Sequence, residues 1–195
     1  MKIYLIRHGE TTGDLEDRFG GDYDDHLTEA GKSQSKELVE DLRGKKIEAI
    51  FISPKIRAVE TAKETEDLLG ISSEIVNDLR ERNNYGVLTG LTKVEAQEKH
   101  PEEFEKISRD KIHHDVSGSE SYEDTKVRVR NVFGDILSKK YDSIAIISHG
   151  GIISTYVREF LTGGQNVKLG DCAILELTKE GDNISIDSFK RAELC

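Results

Sequence analysis

Ile3-Tyr4-Leu5-Ile6-Arg7-His8-Gly9-Glu10 decides how this chain is read. Four apolar residues run straight into a guanidinium and an imidazole. That is the pattern of a short buried strand ending at the face where an α/β protein places its chemistry. Two further runs repeat it. Ile144-Ala145-Ile146-Ile147 ends in Ser148-His149-Gly150-Gly151, and Ile47 to Ile52 ends in Ser53-Pro54 with Arg57 one turn beyond. Three strand ends thereby offer two imidazoles and two guanidiniums.

Outward from these runs the chain alternates strand and helix. Residues 7 to 27 are polar and acidic with Gly13, Gly20 and Gly21, a composition suited to a long loop over a site. Thr28 opens a helix whose stripe is expected from Ala30, Gln34, Leu38 and Leu42, and Gly44 closes it. A strand over 47–52 and a helix over 56–69 follow, the latter carrying Arg57 in its first turn and ending at Gly70. Residues 71–91, with Glu81, read as irregular, and 92–111 as a charged helix broken at Pro101 and lying outside the core. A helix is expected from Ser119 to about 139, with Val129, Val132, Phe133, Ile136 and Leu137 as its apolar stripe. The strand 143–148, a helix over 151–162 and a hairpin of 172–178 with 184–189 complete the chain. This order predicts a three-layer αβα sandwich with a mostly parallel central sheet, one domain spanning 1–195.

Composition narrows the function. A net charge of −10 over 195 residues disfavours nucleic acid and anionic membranes as partners, since both are bound through basic surface. A phosphorylated substrate must then meet a local positive pocket in a negative field. Cys172 and Cys195 give no disulfide framework, which points to a reducing, cytoplasmic setting. The first apolar run is too short for a signal core, and no later run approaches a membrane span. The oligomeric state stays open, a homodimer included.

The strand-end groups suit phosphoryl chemistry. Arg7 and Arg57 present planar forks that match phosphate oxygens, and the amides opening the helix at Gly150 would face an anion. His8 is the candidate nucleophile, because a phosphohistidine divides ester hydrolysis into two easier steps. His149 could donate to a phosphate oxygen as charge develops there. Thr11 fits either a phosphate contact or a helix cap. Competing readings are weaker: the adjacent side chains of His113-His114-Asp115 point apart in extended structure, which argues against a metal site. Cys172 sits in an apolar strand without a following Arg, His26 and His100 read as surface residues, and Gly150-Gly151 lacks the spacing and Lys of a nucleotide phosphate loop.

Taken in order, Leu5-Ile6-Arg7-His8-Gly9-Glu10-Thr11, Leu27-Thr28-Glu29-Ala30-Gly31, Ser53-Pro54-Lys55-Ile56-Arg57-Ala58, Leu79-Arg80-Glu81, Gly118-Ser119-Glu120-Ser121 and Ser148-His149-Gly150-Gly151 resemble the histidine phosphatase superfamily, which includes cofactor-dependent phosphoglycerate mutases. The resemblance implies a phosphoglycerate mutase-like fold, phosphorylation of His8, a phosphate pocket of Arg7, Arg57 and His149, and Glu81 as proton donor to the leaving group. Two departures stand out. Asp14 replaces the usual Asn and places a carboxylate where phosphate should bind, and the loop from Glu81 to Tyr85-Gly86 is one residue longer than in the mutases. The expected activity is hydrolysis of a small phosphorylated metabolite through a phosphohistidine, with no metal and no organic cofactor. Phosphate contacts are expected from Arg7, Arg57, Thr11, Asp14 and Gly150. A phosphoglycerate mutase is the alternative, but mutases add an arginine-rich segment where this chain offers only Arg109. A catalytically weak phosphate-binding protein is the third reading, with Asp14 as its support.

Overall fold

The computed structural model describes residues 1–109 and 116–195. Its central strands are β1 (Lys2–Arg7) and β4 (Ser143–Ser148), paired in parallel with Arg7 opposite Ser148. Alternation along β1 sets the layers. Ile3 and Leu5 face one side of the sheet and Tyr4 and Ile6 the other, and all four are buried. The sheet is covered on both faces, which is why the innermost strand, β4, reads as an unbroken buried run.

Six strands are ordered β3-β2-β4-β1-β5-β6. β2 (Ala49–Ile52) and β3 (Glu74–Ile75) continue the parallel half, while β5 (Val167–Glu180) and β6 (Asn183–Leu194) add an antiparallel ribbon beside β1. On one face α2 (Glu29–Leu42) and α3 (Ile56–Leu69) bring Leu38, Leu42, Ala58 and Ala62 against Tyr4, Ile6, Ile50 and Ile147. On the other, α6 (Tyr122–Leu137) and α7 (Gly150–Tyr156) bring Val129, Phe133, Ile152 and Tyr156 against Ile3, Leu5, Phe51 and Ile146. This is the expected three-layer αβα arrangement. The stripe Val129, Val132, Phe133, Ile136 and Leu137 is buried as expected.

Several boundaries differ from the sequence reading. The α2 face is Gly31, Ser35, Leu38 and Leu42, and Ala30 is exposed. Small residues, not an apolar one, occupy the first turn because that turn touches backbone. A Cβ on Gly31 would lie 2.1 Å from the Glu10 carbonyl oxygen, and one on Gly9 2.8 Å from that of Gly31. The loop after β1 holds a one-turn helix, α1 (Thr12–Leu15). Pro101 divides the charged segment into α4 (Lys93–Lys99) and α5 (Pro101–Arg109), which lie off the central core yet form a satellite cluster through Ala96 and Ile107 with Phe19, Leu88 and Val116. The helix expected from Ser119 begins at Tyr122, because Ser121 caps it through the Asp124 amide. After Tyr156, α7 widens into a π turn over Val157–Leu161. The hairpin strands run longer than expected, since cross-strand pairing extends past the apolar residues.

Candidate active site

Strand register brings the motif residues together. β1, β4 and β2 end side by side: the His8 amide donates to the Ser148 carbonyl (3.1 Å) and the Ser53 amide to that of Ile147 (3.0 Å). The next side chains on β1 and β4 are the two imidazoles, with ring centroids 5.1 Å apart. His8 Nδ1 lies 2.8 Å from the Gly9 carbonyl oxygen, a contact that requires Nδ1 to carry the proton and leaves the Nε2 lone pair free. In His149 the order is reversed. Arg57 Nε donates to Nδ1 (3.2 Å), so the proton sits on Nε2, which donates to Ser53 Oγ (2.6 Å). Both rings are buried, and burial followed by the Arg57 charge holds both pKa values well below the ordinary histidine value. Both are therefore neutral at pH 7.

Arg57 is almost wholly buried in the first turn of α3. Its Nη1 donates to the Tyr23 carbonyl (2.7 Å) and to Asp25 Oδ1 (2.8 Å), and its Nη2 to the Gly21 carbonyl (2.9 Å). The fork expected to meet phosphate is thus engaged by the loop at 21–25, through a buried ion pair with Asp25. Arg7 donates through Nη1 to the Leu169 carbonyl (2.8 Å), with Asp171 at 3.4 Å.

Thr11 and Asp14 form the capping box of α1: Asp14 Oδ2 accepts from the Thr11 amide (3.0 Å) and hydroxyl (2.9 Å). The carboxylate that departs from the family pattern is therefore turned onto Thr11. Glu10 faces away from the cleft, its carboxylate accepting from Thr28 Oγ1 at 2.6 Å.

Glu81 follows Leu79, which is fully buried and pinned by a 2.8 Å hydrogen bond from Ser148 Oγ to its carbonyl. This anchor directs the longer loop so that Glu81 Oε2 accepts from the Gly151 amide (3.0 Å) and Oε1 from the Arg82 amide (2.8 Å). The amide expected to face a phosphate at the α7 N-terminus holds a carboxylate instead. A Cβ on Gly151 would stand 2.5 Å from Glu81 Oε1, so the second glycine of the motif makes room for the acid. The first, Gly150, passes Arg7, whose Nε lies 3.8 Å from where a Cβ would be.

Arg7, His8, Thr11, Asp14, Arg57, Glu81 and Gly150 line one cleft of about 170 Å³. His149 lies beneath it, fully buried behind His8 and Arg57. Arg18, Tyr23 and Asp25 also line the cleft and were not singled out from sequence. The acidic loop from 7 to 27 signalled that something covers the site, but nothing local distinguishes Asp25 from Asp22 or Asp24. Tyr23 donates to Asp25 Oδ2 (3.2 Å), and burial raises its phenol pKa.

Other candidates lie elsewhere. His26 is exposed beside Glu60 (2.7 Å), and His100 ends α4. Cys172 is buried in β5, its thiol pushed up to about 11 by burial. His113, His114 and Asp115 fall outside the described residues. Among the described residues no group of three His, Cys, Asp or Glu side chains is gathered as metal ligands, and no helix is long and apolar enough to cross a membrane.

Fold and cleft define a class: an α/β protein in which two strand-end histidines meet beside arginine at the C-terminal edge of the parallel half of the sheet. The family model of the histidine phosphatase superfamily (branch 1) matches residues 3–191, and the chain belongs to that superfamily. Over 190 residues it is 29% identical to "Putative phosphoserine phosphatase 2" of Hydrogenobacter thermophilus, covering 95% of this chain and 93% of the relative. It is 33% identical to phosphoglycerate mutase-like protein 4 of Arabidopsis thaliana, over 80% of this chain and 70% of that one. The crystal structure of the alpha-ribazole phosphatase from Shigella flexneri superimposes with a TM-score of 0.81 at 19% identity, covering 96% of this chain and 95% of that one, a likeness of fold.

Proposed function

We propose that this phosphatase-family chain hydrolyses phosphate monoesters of small metabolites through a phosphohistidine on His8, without metal or organic cofactor. The observation that carries the reading is the free Nε2 of a neutral, buried His8 opening into a cleft shared with Arg7, Arg57 and Glu81. In the first step Nε2 attacks phosphorus, the P–O bond to the alcohol breaks, and protonated Glu81 gives its proton to the departing oxygen. The carboxylate left on Glu81 is stabilised by the amides of Arg82 and Gly151. In the second step water attacks phospho-His8, the P–N bond breaks, and Glu81 takes the water's proton. Ester and water become alcohol and phosphate, and the protein returns to its starting state.

Arg7 and Arg57 hold the transferring group. Arg57 can share its fork with phosphate once the carbonyls of Gly21 and Tyr23 yield, and Asp25 then keeps the guanidinium aimed at the cleft. His149, proton on Nε2, supports the pocket from below and reaches phosphate by turning from Ser53. Similarity to a putative phosphoserine phosphatase, and a fold shared with an alpha-ribazole phosphatase, favour hydrolysis of a metabolite ester.

The test is a rapid quench. After brief incubation with a phosphate-labelled substrate and an alkaline stop, acid-labile label should sit on His8, and His8→Ala should carry none. Label elsewhere, or full turnover by His8→Ala, overturns the mechanism.

A further inference from the structure

The β5–β6 ribbon departs from regular pairing where it passes the reactive end of β1. Leu169 faces Ala192 and Ile174 faces Lys190, so residues 170–173 stand opposite Arg191 alone. A bulge of this kind re-aims the groups beside it. Toward β1 the register is unbroken up to Ile174 opposite Ile6, and it continues one step further, where the Cys172 amide donates to the His8 carbonyl (3.1 Å). The His8 backbone is thus suspended between two strands: β4 takes its N–H and β5 its C=O. Arg7 reaches the same bulge through its bond to the Leu169 carbonyl.

The bulge is held in a conformation that ordinary side chains resist. Cys172 has a φ of 48° and Arg191 one of 53°, two of the four non-glycine residues in the left-handed region among the described residues. One side chain ties the two together. Arg191 donates from Nε (3.0 Å) and Nη2 (2.7 Å) to the Cys172 carbonyl, and Nη2 also reaches Asp41 Oδ2 (2.8 Å) in the last turn of α2. Cys172 is fully buried, so without this guanidinium its carbonyl would be left unpaired at a cost the backbone can escape only by turning. Lys190 pairs with the same Asp41, so that carboxylate keeps a cation whatever becomes of Arg191.

We propose that Arg191 is a positioning residue for the nucleophile: by gripping the Cys172 carbonyl from outside, it fixes the Cys172 amide on His8 and so sets the direction of the attacking Nε2. The inference rests on the phosphohistidine reading above. His8 Nδ1 is tied to the Gly9 carbonyl (2.8 Å), so a turn of the backbone at this point passes directly to the ring. Neither Arg191 nor Cys172 lines the cleft. Arg191 therefore acts on the reaction only through the strand that carries its contact to His8, and its loss should misplace the nucleophile without removing a contact to phosphate.

Arg191→Asn removes the guanidinium with a residue that tolerates the left-handed region, so no backbone strain is added. Misplacing a reacting atom by about 1 Å costs about 100-fold, and the rate constant for phosphorylation of His8 at saturating substrate should fall about 10- to 100-fold. The loss should be equal for an alkyl phosphate and p-nitrophenyl phosphate, because the nucleophile attacks both. It should lie in the rate constant and not in the fraction of protein labelled, which a folding defect would lower. Calorimetric affinity for inorganic phosphate should stay within about twofold of wild type, since uniform binding is untouched. Hydrogen exchange at the Cys172 amide should quicken. Arg191→Lys keeps a donor for the carbonyl but not the fork and should fall between, which supplies the test if the Asn variant does not fold. Lys190→Gln strips a cation from Asp41 without touching Cys172 and should match wild type. A wild-type rate constant in Arg191→Asn, weaker phosphate binding at an unchanged rate constant, or the same loss in Lys190→Gln overturns the proposal. Faster exchange at Cys172 in Arg191→Asn, with no label on wild-type His8, would keep the hold on His8 and remove the hydrolase reading.

Discussion

Gly151→Ala separates the proposed acid from the rest of the site. The added Cβ would stand 2.5 Å from Glu81 Oε1 and 3.2 Å from Cδ, so restoring ordinary contact pushes the carboxyl group back by roughly 1 Å and breaks its bond to the Gly151 amide. Misplacing a reacting group by that much costs about 100-fold, within the roughly 10²–10⁴-fold that a general acid contributes. The loss must depend on the leaving group. We expect phosphorylation of the protein by an alkyl phosphate to slow about 100-fold, and by p-nitrophenyl phosphate less than about threefold, because a stable phenolate departs without a proton. Pre-steady-state quench measurements read this step apart from dephosphorylation. The fold should not suffer: Gly151 lies in α7 without a positive φ, where Ala gains up to about 1 kcal/mol in helix propensity. A melting temperature at or above wild type, with selective loss on the alkyl ester, is the expected pair of results. Equal losses on both esters, or none, would refute the placement of Glu81 as acid.

Arg57→Lys keeps one charge but cannot reproduce contacts to His149, Gly21 and Asp25 together, so kcat/KM should fall about tenfold or more, roughly 1.4 kcal/mol or more of barrier; unchanged kinetics would place Arg57 outside the chemistry. Asp14→Asn removes a negative charge from the cleft wall and should tighten inorganic phosphate binding severalfold at pH 7 by calorimetry, whereas equal affinity would mean that the pairing with Thr11 already spends the charge. His8 and His149 have folded pKa values below 6.5, so the unfolded chain binds more protons; their contribution to stability is complete above pH 6.5 and lost as pH falls below it. Urea unfolding should show up to about 1.4 kcal/mol per pH unit for each imidazole, and His8→Gln or His149→Gln should flatten the profile between pH 5 and 6.5.

Sequence made the centre of the molecule legible and left its rim obscure, for a physical reason. β1 and β4 are buried on both faces, so composition alone marks them, and each leads directly into a histidine. The Arg57 helix was framed by its own start and its terminal Gly70. Asp25 had no such frame, because its role depends on a loop folding back onto α3. Gly31 and Ser35 escaped a search for apolar periodicity, since their place on α2 reflects backbone contact and not hydrophobic burial. Glu81 came from resemblance, and its anchorage through Leu79 and Gly151 is a tertiary fact that no local pattern encodes.

The strand order has a consequence for the history of each molecule. β1 is the first of the sheet's strands to be made, yet its neighbours in the sheet are β4 and β5, more than 130 residues later in sequence. During synthesis the first strand has no partner on either edge, and His8 leaves the ribosome long before His149. Closing such a distant pairing costs loop entropy before any contact repays it, so folding should be slow relative to a chain of local contacts, and exposed strand edges should persist until the final third emerges. The candidate cleft then assembles in a single late event, and a chain truncated before β4 should have neither a sheet centre nor any trace of activity.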